Sequence, residues 1–248
     1  MKVITITNRK GGIGKTITAQ ALYEGLKAKH YRVMGIDLDQ QANFTDSVLL
    51  GNKPSYTIND LIMETKPISD AVNEDFIGSN MKLALIDTTK LDRYALKKVL
   101  KDISPLYDYV IIDTPPSANA LTYMALACSD YVIMPSECDI YAITGLTEMF
   151  NTIIKSVKEK DNPSLKIKGI LLTRYNPRTL ITNKLENLLN QVAKTFKTTI
   201  YKTRIRESVA VRESRALKKP LLSYNGGNSN AQKDYKAFIR EFLESEEK

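Results

Sequence analysis

Val3-Ile4-Thr5-Ile6-Thr7-Asn8-Arg9-Lys10-Gly11-Gly12-Ile13-Gly14-Lys15-Thr16 is the stretch that decides the fold. It begins as a β-branched run and passes through Gly11, Gly12 and Gly14. It then enters a segment in which Ala19, Leu22 and Leu26 recur at helical spacing. Strand, glycine loop and helix in that order form the context a phosphate cradle needs. Glycines let successive backbone N–H groups turn inward around an anion. The helix N-terminus adds partial positive charge. In such a loop Lys15 reaches the β- and γ-phosphates of a nucleotide, and the Thr16 hydroxyl ligates Mg²⁺. The predicted nucleotide-binding segment is Lys10, Gly11, Gly12, Ile13, Gly14, Lys15, Thr16 and Ile17. A strict Walker A motif carries glycine where this chain has Arg9, and Lys10 is an additional lysine at the loop entrance.

Outward from the loop, strand-like and helical runs alternate. Strands are predicted at Lys2–Thr7, Arg32–Asp37, Lys82–Ile86, Tyr109–Asp113, Tyr131–Pro135 and Ile167–Thr173, with Thr198–Tyr201 as a further candidate. Helices are predicted at Thr16–Lys29, Tyr94–Leu100, Ala118–Ala127, Gly145–Val157, Asn183–Phe196 and Gln232–Leu243. Several strands are continuous apolar runs, which suits a sheet buried on both faces. The alternation predicts an α/β fold: a doubly wound, mostly parallel sheet flanked by helices, and the glycine loop after its first strand makes it of the P-loop NTPase kind. There is no internal repeat and no linker, so residues 1–248 are expected to form a single P-loop domain. Leu222–Ser229 reads as a loop before a C-terminal packing helix at about 232–243.

Composition narrows the function classes. With 43% hydrophobic and 26% charged residues, the 248-residue chain is too apolar to be disordered. No apolar run approaches the roughly 20 residues of a membrane span. The first residues show no basic region followed by an apolar core, so a cytoplasmic protein is expected. Cys128 and Cys138 are the only cysteines and His30 the only histidine, which excludes a disulfide framework and a Cys/His metal site. The two cysteines read as small buried residues. The net charge is +8, and residues 151–222 hold 17 Lys/Arg against 5 Asp/Glu. That imbalance points to a polyanionic partner.

Asp37 and Asp39 lie two apart at a strand end, so both carboxylates face the same way. They sit at the carboxyl edge, where α/β sheets bind ligands. Asp113 ends an apolar strand, as a Walker B aspartate does. Four segments together resemble one family. KGGIGKT at 10–16 resembles the deviant Walker A of the ParA/MinD class of ATPases. Asp37-Leu38-Asp39-Gln40-Gln41-Ala42-Asn43 is similar to that class's D-x-D-P-Q-x-N, with Gln40 in place of proline. Residues 109–117 resemble its Walker B strand, and residues 169–179 its late strand and basic loop. The resemblance spans nearly the whole chain and is closest to ParA/Soj-type partitioning ATPases.

That resemblance implies roles. Lys10, Lys15 and Asp39 would be the catalytic groups, with Lys10 crossing a dimer interface to the nucleotide of the opposite subunit and Asp39 positioning the attacking water. Thr16, Asp37 and Asp113 would serve the magnesium ion. ATP and Mg²⁺ are the implied cofactors, and the intrinsic hydrolysis rate should be slow. The base would lie near Thr173–Tyr175 and Thr203–Glu207. The implied partners are a second copy with ATP bound, non-specific double-stranded DNA and a ParB-like centromere-binding protein. The work would be plasmid or chromosome partitioning on the nucleoid, with the positioning of another cellular cargo as the alternative the same resemblance leaves open. The candidate DNA-binding residues fall within 174–219: Arg174, Arg178, Lys184, Arg212, Arg215, Lys218 and Lys219, with Arg204 and Arg206 beside them.

Competing readings make different demands. A membrane-cycling ATPase of the MinD type needs a C-terminal amphipathic helix with a basic polar face. Here the terminus does carry the apolar stripe Tyr235, Phe238, Ile239, Phe242 and Leu243. However, residues 233–248 hold four basic and five acidic side chains, so the stripe is expected to be core. An amide-forming ligase would need a substrate constellation of its own, which the sequence does not present. A tyrosine-kinase module would cluster its tyrosines at the C-terminus, and the thirteen here are scattered.

Overall fold

The strand Tyr109–Asp113 is buried at every position, and its alternation divides the molecule. Tyr109 and Ile111 join one hydrophobic cluster, whereas Val110 and Ile112 join another on the opposite side of the sheet. Successive side chains of a strand point to opposite faces, so a continuous apolar run requires a cover on both. The computed structural model describes residues 1–87, 89, 91–176 and 182–247.

Among these residues the chain order is β1 Lys2–Ile6, α1 Lys15–Lys27, β2 Val33–Asp37, α2 Asn43–Val48, α3 Ile58–Ile62, α4 Ile68–Ala71, β3 Val72–Asn73 and β4 Phe76–Ile77. A 3₁₀ turn at Met81–Leu85 follows, then α5 Ala95–Ile103, β5 Tyr109–Asp113, α6 Ala120–Ala127, β6 Tyr131–Ser136 and α7 Ile140–Met149. A π turn at Phe150–Ile154 leads into α8 Lys155–Lys160, β7 Lys166–Tyr175, α9 Thr182–Thr195, β8 Ile200–Arg206, α10 Val209–Ala216 and α11 Asn230–Glu244.

The strands form one eight-stranded sheet in the order β3-β4-β2-β5-β1-β6-β7-β8. Every pairing is parallel except the β3–β4 pair at the edge. Phe44 of α2, Leu22 and Leu26 of α1, and Tyr235, Phe238 and Phe242 of α11 pack on one face. The other face is covered by Leu61 of α3, Leu96 and Leu100 of α5 and Met124 of α6, and farther along by Leu146 of α7 and Leu189 of α9. The doubly wound, mostly parallel sheet expected from the sequence is therefore the observed fold. The C-terminal stripe is core: Tyr235, Phe238, Ile239 and Phe242 are all buried, and Leu243 packs against them.

Four expectations need correction. Lys82–Ile86 is not a strand: Asn80 accepts a hydrogen bond from the Lys82 N–H at 2.9 Å, and a 3₁₀ turn begins there. Only Leu83 of that run is buried, and the neighbouring place beside β2 is taken by Phe76–Ile77. The last strand runs Ile200–Arg206 rather than Thr198–Tyr201. The helix expected from Gly145 starts at Ile140, because the Asp139 side chain accepts from the Ala142 N–H at 2.7 Å and caps it. Both cysteines are half-buried rather than buried, and burial pushes the Cys128 thiol up to about 12.

Candidate active site

β1 lies between β5 and β6, so the chain leaves it toward β2 on one side while β5 crosses to β6 on the other. The crevice at the carboxyl ends of those strands is where α/β sheets place ligands. The glycine loop spans that crevice. Gly12 has φ +78° and Gly14 has φ +92°, left-handed conformations that strain residues with a side chain. A Cβ at Gly12 would meet nothing within 4 Å, so the loop presents bare backbone. Helix α1 starts directly at Lys15, with no side-chain cap and no acidic residue in its first turn. Its first N–H groups are left for an anion. Ile13 and Ile17 are buried, and the Thr173 hydroxyl donates to the Ile13 carbonyl at 2.7 Å, which ties the loop to β7.

Lys15 is buried and its ammonium donates to the Lys10 carbonyl at 2.9 Å. Burial lowers its pKa, against the pull of Asp113 and Asp39. Asp37 and Asp113 are register partners at the ends of β2 and β5. Both are fully buried. Asp37 is engaged: Oδ1 accepts from the Asp39 N–H at 2.9 Å, and Oδ2 accepts from the N–H and hydroxyl of Thr45 at 2.9 and 2.8 Å. Burial nevertheless pushes Asp37 up to about 6. Asp113 has no hydrogen-bond partner on either oxygen. Burial, and then the charge of Asp37, raise its pKa well above the carboxylate range, while the adjacent Thr16 hydroxyl and Lys15 pull it down. A buried carboxylate with unpaired oxygens is costly unless a cation completes it. Asp113 and Thr16 thus fit a hard divalent cation, which takes few direct protein ligands when it keeps its waters. Asp39 follows β2 and is 7% exposed, with one oxygen accepting from the Gln41 N–H at 3.0 Å.

Lys10 points back into its own chain. Its ammonium donates to Glu137 Oε2 at 2.8 Å and to Asp139 Oδ2 at 2.7 Å. Burial works against the charge, but these two carboxylates outweigh it and raise the pKa. The sequence reading missed both acids. Their signal was the Ser136-Glu137-Cys138-Asp139 run directly after a central strand, at the level of the glycine loop.

The structure divides the basic candidates. Arg174 is tied to Glu137 at 2.9 Å and Glu207 at 3.4 Å, Arg204 to Glu186 at 3.1 Å, and Lys218 to Asp46 at 2.9 Å. Arg206 makes two bonds to Asp234, at 2.6 and 2.8 Å. Arg212 and Arg215 are exposed and three residues apart on α10, hence on one face. Lys219 follows them and is exposed, and Lys184 is exposed on α9. Arg178 lies outside the described residues. The segments expected to hold a base meet where Tyr175 pairs with Arg206 at the ends of β7 and β8. A separate cavity of about 790 Å³, lined by Glu24, Gly25 and Ile239, lies between α1 and α11, away from these groups.

Comparison with known proteins gives the family and the fold. A family model described as an AAA domain matches residues 1–167. The sporulation initiation inhibitor protein Soj of Bacillus subtilis (strain 168) is 33% identical over 243 residues, covering 93% of this chain and 94% of Soj. A putative plasmid partition protein from Borrelia burgdorferi B31, solved bound to AMPPNP, superposes with a TM-score of 0.74 at 27% identity over 98% of each chain. A cobyrinic acid a,c-diamide synthase from Mycobacterium smegmatis, solved with ADP and magnesium, superposes with a TM-score of 0.82 at 26% identity, over 100% of this chain and 96% of the other.

Proposed function

Because the chain belongs to the ParA/Soj family of P-loop ATPases, we propose that it is a Mg²⁺-dependent ATPase that dimerises over ATP and binds double-stranded DNA without sequence preference. Its work is to partition a plasmid or chromosome on the nucleoid, turning over slowly until a ParB-like centromere-binding protein stimulates it. One observation carries the ATPase reading: Asp113, buried and unpaired on both oxygens, beside Thr16 and Lys15 at the base of a glycine loop.

Each step falls to a named group. The loop N–H groups and Lys15 hold the β- and γ-phosphates. Magnesium, when bound, neutralises charge on the phosphate oxygens, and Thr16 and Asp113 would hold it, with Asp37 behind them. Asp39 orients the attacking water. Lys10, delivered by a second copy, stabilises charge on the transferring phosphoryl group as an arginine finger does. Dimerisation then depends on the γ-phosphate. It also brings two copies of Arg212, Arg215 and Lys219 together, so that weak phosphate contacts gain avidity.

The likeness to a diamide synthase favours a second reading, an amide-forming ligase. Steady-state ATP turnover decides between the two. The ATPase reading predicts ADP and phosphate release with Mg²⁺ and no acceptor substrate. It also predicts a drop of about a hundredfold or more in Asp39→Ala, the scale of losing a group that acts only in the transition state. No turnover without an acceptor overturns it.

A further inference from the structure

Lys10 cannot serve a second subunit while it is bonded within its own. Glu137 and Asp139 are not loose surface acids that met it by chance. The other oxygen of Asp139 caps α7 through the Ala142 N–H at 2.7 Å, and the other oxygen of Glu137 accepts from Arg174 at 2.9 Å. Both carboxylates are therefore fixed before the lysine arrives. The neighbouring loop cation is held in the same way, with Arg9 bonded to Glu148 of α7 at 2.6 Å. The Lys10 backbone is anchored too. Its N–H donates to Asn8 Oδ1 at 3.3 Å, and its carbonyl accepts from Lys15. Only the flexible four-carbon side chain needs to swing. Gly11 and Gly12 beside it are exposed and bare, so a second copy can approach closely.

We propose that Glu137 and Asp139 are positioning residues that hold Lys10 in its own protomer and so set the protein concentration at which ATP drives dimerisation. This rests on the reading that Lys10 acts in trans. Two of the ammonium's three donors are committed to the carboxylates, and engaging a partner's phosphates means giving them up. A partly exposed ion pair is worth a factor of about 1.4 to 5. Each protomer of a dimer releases one lysine, so weakening the latch changes the dimer dissociation constant by about the square of that, roughly two- to thirtyfold.

The test is sedimentation velocity over a protein concentration series, with a non-hydrolysable ATP analogue and Mg²⁺, on the wild type, Asp139→Asn, Glu137→Gln and Lys10→Ala. Asp139→Asn keeps an oxygen for the Ala142 N–H, so α7 stays capped. The latch predicts that Asp139→Asn and Glu137→Gln dimerise at two- to thirtyfold lower concentration. A merely structural role gives unchanged or weaker dimerisation in both, and that result overturns the latch. The trans reading fails separately, if Lys10→Ala dimerises as the wild type does. Unfolding of the nucleotide-free protein gives a second measurement. A double-mutant cycle between Lys10→Ala and Asp139→Asn must show coupling, and additive effects overturn the contact in solution.

Discussion

Thr45 donates both its backbone N–H and its hydroxyl to the same oxygen of Asp37, at 2.9 and 2.8 Å. The first turn of α2 is thereby fastened to the end of β2. The short loop carrying Asp39 is held at both ends, since the Asp39 N–H itself donates to Asp37. The Thr45 hydroxyl also accepts from the Ser79 N–H at 2.8 Å, which links the loop to the chain after β4.

Thr45→Val keeps the shape and removes the hydroxyl. It leaves an Asp37 oxygen and the Ser79 N–H short of a partner in a buried place. The expected loss is about 1–3 kcal/mol, read from urea unfolding. A change under half of that would mean that water replaces the hydroxyl.

Glu24 predicts a pH dependence. Burial lifts its pKa from 4.5 to about 7, and one of its oxygens is buried without a partner. The folded chain keeps a proton that the unfolded chain releases, so stability falls as pH rises from 4.5 through 7. The full effect is about 3 kcal/mol. Asp37 and Asp113 are raised as well and act with the same sign. Urea midpoints at pH 5 and 7.5 should therefore fall with pH in the wild type and fall less in Glu24→Gln. Equal slopes in the two proteins contradict the assignment.

The two classes of arginine should separate in DNA-binding experiments. Arg212→Glu with Arg215→Glu should weaken binding to every duplex sequence and leave ATP turnover without DNA close to the wild type. Arg206→Ala should leave DNA affinity nearly unchanged. Its loss should appear in stability, up to about 1 kcal/mol, because it bonds Asp234 at the foot of α11. A large loss of DNA affinity in Arg206→Ala would move the interface to the β8 end.

The sequence carried the middle of the sheet well, because buried parallel strands are uninterrupted apolar runs. Val110-Ile111-Ile112 and Gly169-Ile170-Leu171-Leu172 read as strands for that reason. The edges were harder. Phe76–Ile77 is too short to show a period, and Lys82–Ile86 is a short apolar run that reads as a strand, although the Asn80 cap before it starts a turn. Helix α10 escaped notice because it buries little beyond Ser214. The glycine loop and the acids beside it were visible as motifs. What motifs omit is pairing across the fold: nothing local joins Lys10 to Asp139 or Arg206 to Asp234, since those contacts depend on how loops meet at the sheet's edge. Counting charge along residues 151–222 likewise overstated the free basic surface, because Arg174, Arg204, Arg206 and Lys218 are neutralised where they stand.

The most direct test of the central claim is binding to a random-sequence duplex with no nucleotide, with ADP and with ATP, each across a salt series. A dimer joined over ATP predicts tight binding only with ATP, and an affinity that falls steeply and log-linearly with salt as phosphate counterions are released. Binding that is the same in all three states, or absent from all of them, contradicts it.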